Sequence, residues 1–267
     1  MDRKIADVTE YLTLDPLKIR LDAHRRYSKY PDDVEAAVLG VAKVRSHDDV
    51  LDIGSGTGSF LRRLAADGHS GRLVGLDMSP AAVLELAGIT GVEGHQGDAT
   101  RLPFATGVFQ AAFARHMLYH VPDVPAALAE ASRVLAPEGK FVASVNHPFT
   151  TPKMRDLVIG VVTRHGFVVD SASPVPVHSD NLPAMMSDTF GNVEVHRFDN
   201  ALVFDSPELI TAFCVSNLAF YGVDGDSPLR PAVVADIRVA ATLAFESDDN
   251  QWVDPKGYVV CLARKTT

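Results

Sequence analysis

Between Val50 and Asn146 short apolar runs alternate with stretches whose apolar residues recur at helical spacing. "DVLDIGS", "RLVGLDM", "VEGHQGDA", "FQAAFAR" and "GKFVASVN" read as strands 1 to 5, the third being the weakest. "SFLRRLAAD", stopped near Gly68, "SPAAVLELAG" and "PAALAEASRVL" read as helices between them. Ser79 supplies an N-cap oxygen for the second of these and Pro80 its first position. Strands that alternate with helices predict an α/β fold built on a parallel sheet.

The flanks divide the chain further. Residues 1–48 read as an N-terminal helical segment covering the site, with breaks at Pro16 and Pro31. Residues 49–146 form the core just described. From His147 to about Gly191 the rhythm fails: five prolines, a helical piece "RDLVIGVVTRH" and a polar stretch "SASPVPVHSDN". That block, 147–191, is too long for a plain loop and is expected to be a cap or lid over a site. Residues 192–267 complete the sheet, through "NVEVHRFDNALVF", a capped helix "SPELITAFCVSN", a long helix near 229–246 and a last strand "GYVVCLARK".

Charge narrows the partners. The formal net charge is −9, and adjacent basic pairs are few and scattered, Arg25-Arg26 and Arg62-Arg63 among them. A phosphate backbone needs a basic stripe, so no nucleic acid is expected. No apolar run is long enough to span a bilayer, and "MDRKIADVTEYL" lacks the apolar centre of a signal peptide. Cys214 and Cys261 lie in apolar segments without metal-spaced neighbours, as expected of buried thiols in a reducing compartment. The expectation is a cytoplasmic protein with no membrane partner.

The candidate chemistry starts at "VLDIGSGTGSF", where Gly54, Gly56 and Gly58 follow strand 1 and lead into a helix. Such a turn cradles nucleotide-like ligands in doubly wound sheets. The dinucleotide fingerprint requires a glycine at the sixth position, and here Ser59 occupies it. Asp77 ends strand 2, where a carboxylate can accept from ribose hydroxyls. Asp98 follows strand 3 and can accept from the exocyclic amine of adenine. With Asp52, three carboxylates are expected around one crevice, which would repel a pyrophosphate and favour a cationic adenosine ligand.

The set "VLDIGSGTG", "LVGLDMSP", "GDATRLPF", "HMLYHVPD" and "RVLAPEGKFVAS" resembles, in order and spacing, the class I S-adenosylmethionine-dependent methyltransferases. "HRRYSKYP" and "NVEVHRFDNALVFDSPELI" extend the likeness toward the small-molecule branch of that family. Two departures are Ser55, where many members carry cysteine or alanine, and Glu138 in "APEGK", where glycine is commoner. The resemblance implies a Rossmann-like, doubly wound seven-stranded sheet, its last strand antiparallel beside the fifth, and S-adenosylmethionine as cofactor. It also implies site roles. Gly54, Ser55, Gly56 and Gly58 would form the bed of the cofactor together with Asp52. Asp77 would hold the ribose, Met78 would pack on the adenine, and Asp98 with Ala99 would meet the adenine amine. Arg115 would lie near the methionine part. Tyr27 would either close over the donor or pin its helix to the core.

The expected acceptor is a small molecule methylated on oxygen or nitrogen. Alignment supplies much of the rate of such a displacement, and a base helps an alcohol or phenol. His116 and His147, just beyond strands 4 and 5, are the candidate catalytic residues, His116 the candidate base. His120 reads as structural. His24, Tyr27 and Tyr30 could reach the same crevice from the N-terminal helix. The spacing of His116 and His120 matches a metal pair on a helix, yet no glutamate follows His116 and no third ligand is in view, so no metal is expected. Met154, Met185 and Met186 suit either an apolar acceptor or core packing. Rival readings are a nucleic-acid methyltransferase, a fold relative that uses the cofactor for another outcome, and a cofactor-binding regulatory protein without turnover.

Overall fold

The computed structural model describes residues 13–169 and 175–266. The opening "MDRKIADVTEYL" and residues 170–174, from the "SASPVPVHSDN" stretch and its border, lie outside the described residues. Two compact units are interleaved along the chain. One takes Asp33–Pro148, Val175–Phe198 and Tyr258–Thr267, and the other Met1–Asp32, Phe149–Pro174 and Asp199–Gly257.

The sheet has seven strands: β1 Val50–Ile53, β2 Leu73–Asp77, β3 Val92–Gln96, β4 Phe109–Arg115, β5 Leu135–Asn146, β6 Val193–Phe204 and β7 Trp252–Arg264. Their order is β3-β2-β1-β4-β5-β7-β6. β1 pairs in parallel with β2 and β4, and β5 pairs in parallel with β4 and antiparallel with β7. This is the seven-stranded sheet expected from the resemblance, with the terminal strand inserted beside the fifth.

In the first unit, helices α2 Val34–Ala42, α3 Ser59–Ala66 and α4 Pro80–Ala87 cover part of the sheet, with α5 Val124–Val134 and α7 Leu182–Phe190. Alternate residues along each strand serve different cores. Leu51, Val74, Ala112, Phe141 and Val145 join Leu128, Met186 and Phe190 in one apolar cluster. Val50, Leu73, Phe113, Val142 and Val260 join Val38, Phe60 and Leu61 in another. Burial on both faces is the reason these strands read as apolar runs. The strand order reverses between β1 and β4, and the carboxyl ends flanking such a reversal leave a crevice for ligands.

The other unit holds α1 Asp15–Tyr27, α6 Pro152–Arg164, α8 Pro207–Val215 and α9 Arg230–Ser247 around its own core of Val158, Val162, Phe204, Ile210, Phe213 and Ile237. Pro16, expected as a break, has a counterpart in Pro152. Pro16 and Pro152 occupy the first turn of α1 and α6, where a missing N–H costs nothing, so they start helices. Asp254 completes the start of α6 by accepting from the backbone N–H groups of Lys153 (3.0 Å) and Met154 (2.8 Å). Cys214 and Cys261 are buried free thiols, and burial pushes both thiols above their ordinary value.

Candidate functional site

The turn after β1 is made by glycines in the left-handed region: Gly54 at φ 69°, Gly56 at 55° and Gly58 at 69°. Backbone bonds fasten it to β2, since the N–H groups of Gly54 (2.7 Å) and Ser55 (3.1 Å) donate to the Leu76 carbonyl. The absent side chains have an internal cause as well. A Cβ on Gly54 would stand 2.8 Å from Met117, and one on Gly58 would stand 2.6 Å from Ile89 and 3.0 Å from Leu86. The chain's own packing and the left-handed backbone therefore both disfavour a larger residue at 54, whereas at 58 the crowding atoms are side-chain ends and the strain is mainly that of the backbone.

Asp77, at the end of β2, faces this loop. Its Oδ2 accepts from Gly56 N–H and its Oδ1 from Ser79 N–H, each at 2.9 Å. A carboxylate has about four lone-pair sites, so Asp77 keeps capacity for a further donor. Burial raises the Asp77 pKa above the usual aspartate value, and the N–H groups of Ser79, Gly56 and Met78 oppose that. Met78 is 56% exposed beside it, an apolar side chain left uncovered at the carboxyl edge. Asp98 Oδ1 accepts from the backbone N–H (2.8 Å) and hydroxyl (2.9 Å) of Thr100, closing a turn. Ala99 is buried beside it, and Ser55 is buried within the glycine turn.

Asp52 and Arg115 differ from the picture of three free carboxylates. Asp52 is fully buried and bound by both prongs of the Arg115 guanidinium, at 3.1 Å from Nε and 2.7 Å from Nη2. Burial pushes the Asp52 carboxyl up, and the guanidinium opposes that push. Arg115 also lies over the Phe60 ring, 4.4 Å from its centroid. One of the three charges is thus matched inside the protein. The pairing spans strands 63 residues apart in sequence and has no local signature.

His116 follows β4 at φ 50°, in a region that a non-glycine residue enters only when its surroundings fix it. Its N–H donates to the Ser144 carbonyl at 2.8 Å, and its ring meets Tyr258 edge-on at 5.8 Å between centroids. Tyr258 in turn stacks on Phe198 at 4.9 Å. Tyr258 was not among the sequence candidates, because only the antiparallel return of β7 brings it to this edge. The Ser144 hydroxyl, also unforeseen, is buried without a hydrogen-bond partner among the described residues. His147 follows β5 in the same unit, half-buried. His120 belongs to a 3₁₀ turn, Leu118–His120, so His116 and His120 do not share a regular helix.

The structure thus brings Asp52, the glycine turn, Asp77, Asp98, Arg115, His116 and His147 into one unit, at the carboxyl ends of β1 to β5. Tyr27 belongs to the other unit, where its ring packs on Phe204 at 5.3 Å between centroids, the contact expected of a residue that pins its helix. His24, on the same helix, contacts Lys256 through Nδ1 (3.2 Å), and Tyr30 is 60% exposed. Among the described residues no group of three or more His, Cys, Asp or Glu side chains could hold a metal ion. No helix among them is long and apolar enough to cross a membrane.

Comparison with known proteins places a methyltransferase domain over residues 51–143. Nocamycin O-methyltransferase of Saccharothrix syringae is 28% identical over 230 residues, covering 76% of this chain and 81% of that one. The 2-phytyl-1,4-naphtoquinone methyltransferase of Thermosynechococcus vestitus is 40% identical over 108 residues, covering 38% of this chain and 48% of that one. The chain spans about a third of the length of a 37.1 kDa protein in transposon Tn4556 of Streptomyces fradiae, and about half that of several other curated relatives. Among solved structures, the [4+2]-cyclase SpnF superposes with a TM-score of 0.58 at 17% identity, covering 97% of each chain, a likeness of fold.

Proposed function

We propose that the protein, whose residues 51–143 match a methyltransferase domain, is a class I S-adenosylmethionine-dependent methyltransferase that transfers the methyl group of that cofactor to an oxygen of a small-molecule acceptor. The observation that carries the reading is Asp77, a half-buried carboxylate at the end of β2 that bonds Gly56 and keeps free acceptor capacity. When bound, S-adenosylmethionine supplies a methyl carbon activated by a sulfonium. The residues present fit such a ligand: Asp77 would take the ribose hydroxyls, Met78 would lie against the adenine, and Asp98 Oδ2 would take its amine. Gly54, Ser55, Gly56 and Gly58 would line the adenosine and methionine portions with backbone. The Asp52–Arg115 pair would act from beneath that bed, fixing the end of β1 relative to β4. Oxygen is favoured over nitrogen by the nocamycin relative, whose name specifies an O-methyltransferase and whose similarity runs along most of both chains.

The cyclase with the same fold is a reminder that fold does not dictate outcome. Two measurements separate the readings. S-adenosylhomocysteine should bind in calorimetry, and Asp77→Ala should weaken it by roughly 10- to 100-fold, the loss of a pair of charge-assisted hydrogen bonds. Equal affinity in the folded variant would remove Asp77 from the cofactor site. Turnover of isotopically labelled cofactor against phenols, enols, carboxylic acids and amines then tests methyl transfer. Binding without any labelled product would favour a regulatory or non-methylating role.

The burial of Asp77 adds a pH signature. Its raised pKa means that the ribose acceptor is lost at a less acidic pH than an exposed aspartate would require. Cofactor affinity should therefore fall on acidification before exposed carboxylates titrate. The linkage sign keeps this apart from unfolding. A carboxyl that holds its proton more tightly folded than unfolded adds stability as pH falls through its folded pKa. Calorimetry and circular dichroism across the same pH series check both halves, and affinity independent of pH would contradict the assignment.

A further inference from the structure

At the amino ends of β1 and β4, the edge of the sheet opposite the glycine turn, lies a cavity of about 360 Å³. Four cations line it, Lys43, Arg45, Lys140 and Arg264, against two carboxylates, Asp48 and Glu138. Four against two leaves two positive charges in excess, in a chain whose formal net charge is −9.

The four cations are held differently. Arg45 is bound to the buried Asp48, its Nε at 2.8 Å from Oδ1 and its backbone N–H at 2.9 Å from Oδ2. That carboxylate is occupied. Lys140 Nζ donates to the carbonyls of Ala42 and Lys43, both at 2.7 Å, at the carboxyl end of α2 where helix carbonyls lack partners. A carbonyl satisfies the N–H groups and cancels no charge. Lys43 and Arg264 form no ion pair among the described residues. Lys43 ends α2 at φ 47°, where a glycine is the cheapest residue, and its side chain lines the cavity. Burial first, then Arg264, push the Lys140 pKa below the usual lysine value; Arg45 and Lys43 add to this and Asp48 opposes it. The cations repel one another across the space they enclose.

We infer that this cavity binds a small phosphate-bearing anion, held by Lys43, Lys140 and Arg264. A dianion would cancel the excess charge. The guanidinium fork of Arg264 matches two phosphate oxygens, and the two ammonium groups act as point charges beside it. The site lies at the far end of the strands from the glycine turn, so its ligand would not compete with a nucleoside bound there.

The test is calorimetry on the full chain at constant ionic strength, with inorganic phosphate, pyrophosphate and ADP as separate probes. Saturable one-to-one binding is expected, and, with S-adenosylhomocysteine saturating, tighter binding of ADP than of pyrophosphate would identify a nucleotide as the source of the phosphate. Lys43→Gln with Arg264→Gln should weaken it roughly 10- to 100-fold while S-adenosylhomocysteine affinity stays as in the parent chain. Both side chains are exposed, so the fold should persist, and circular dichroism checks that. Lys43→Glu alone, a charge reversal at an exposed turn, should weaken binding more than Lys43→Gln. No saturable heat from any probe up to about 1 mM, or equal affinity in the folded double variant, would overturn the site.

Discussion

His116→Ala is expected to lower kcat by roughly 10²- to 10⁴-fold, with cofactor affinity unchanged, if this histidine takes the proton of the acceptor hydroxyl. The expectation rests on position. His116 stands at the end of β4, its backbone is held left-handed by the bond to Ser144, and its ring is set by Tyr258. Holding a non-glycine residue there costs about 1–2 kcal/mol, so the surrounding strands over-determine where the side chain begins. His147→Ala is the matched comparison from the end of β5. A histidine that only braces its loop would give the opposite pattern, a lower melting temperature with normal turnover in the folded fraction. Because left-handed backbone tolerates asparagine better than alanine, His116→Asn is the fairer variant if alanine unfolds the loop. Near-normal kcat in both folded variants would leave alignment alone as the source of rate.

The second large effect falls on stability. Arg115→Leu should destabilise the protein by about 3–5 kcal/mol, because it strands a buried carboxylate. Asp52 has no exposure, and Arg115 supplies its hydrogen bonds from two nitrogens. Replacing both partners, Asp52→Leu with Arg115→Leu, should recover most of that loss, since the desolvation cost disappears with the charges. The contact of Arg115 with Phe60 is lost in either case and sets the part that does not return. Urea unfolding of the four members of this cycle measures the coupling directly. If Arg115 instead touched the ligand and contributed little to the fold, Arg115→Leu would lose cofactor affinity with its urea midpoint unchanged. That result would refute the internal pairing as the main role.

Much of this molecule was legible residue by residue. The run "FQAAFAR" is β4 from end to end, and Ser79 with Pro80 starts α4 as the cap rule requires. These succeed because periodicity, caps and left-handed turns depend on neighbours a few positions away. The glycines after β1 were legible for the same reason, although part of their cause is Met117, Leu86 and Ile89, which the sequence did not connect to them. In the block after β5 the proline count by itself does not tell a loop from a helix start, and Pro152 and Pro183 sit in the first turns of α6 and α7. A proline breaks a helix or begins one according to its offset from the first turn, and that offset is set by where the chain can next pack.

Other features belonged to the tertiary structure alone. The aspartate in "VLDIGSGTG" reads as one more carboxylate for a ligand, until the parallel pairing of β1 with β4 brings Arg115 against it. Tyr258 reads as one more apolar residue of a terminal strand, until the antiparallel register of β7 on β5 sets it opposite Asn146 and beside His116. Lys43, Lys140 and Arg264 are scattered through the sequence and meet only because the end of α2, the first half of β5 and the end of β7 come to one edge. The sequence by itself determined the elements, their caps and the glycine turn, because those are settled by dihedral preferences and short-range periodicity. Which side chains face one another was decided by strand order and register, which the packing of distant segments fixes together.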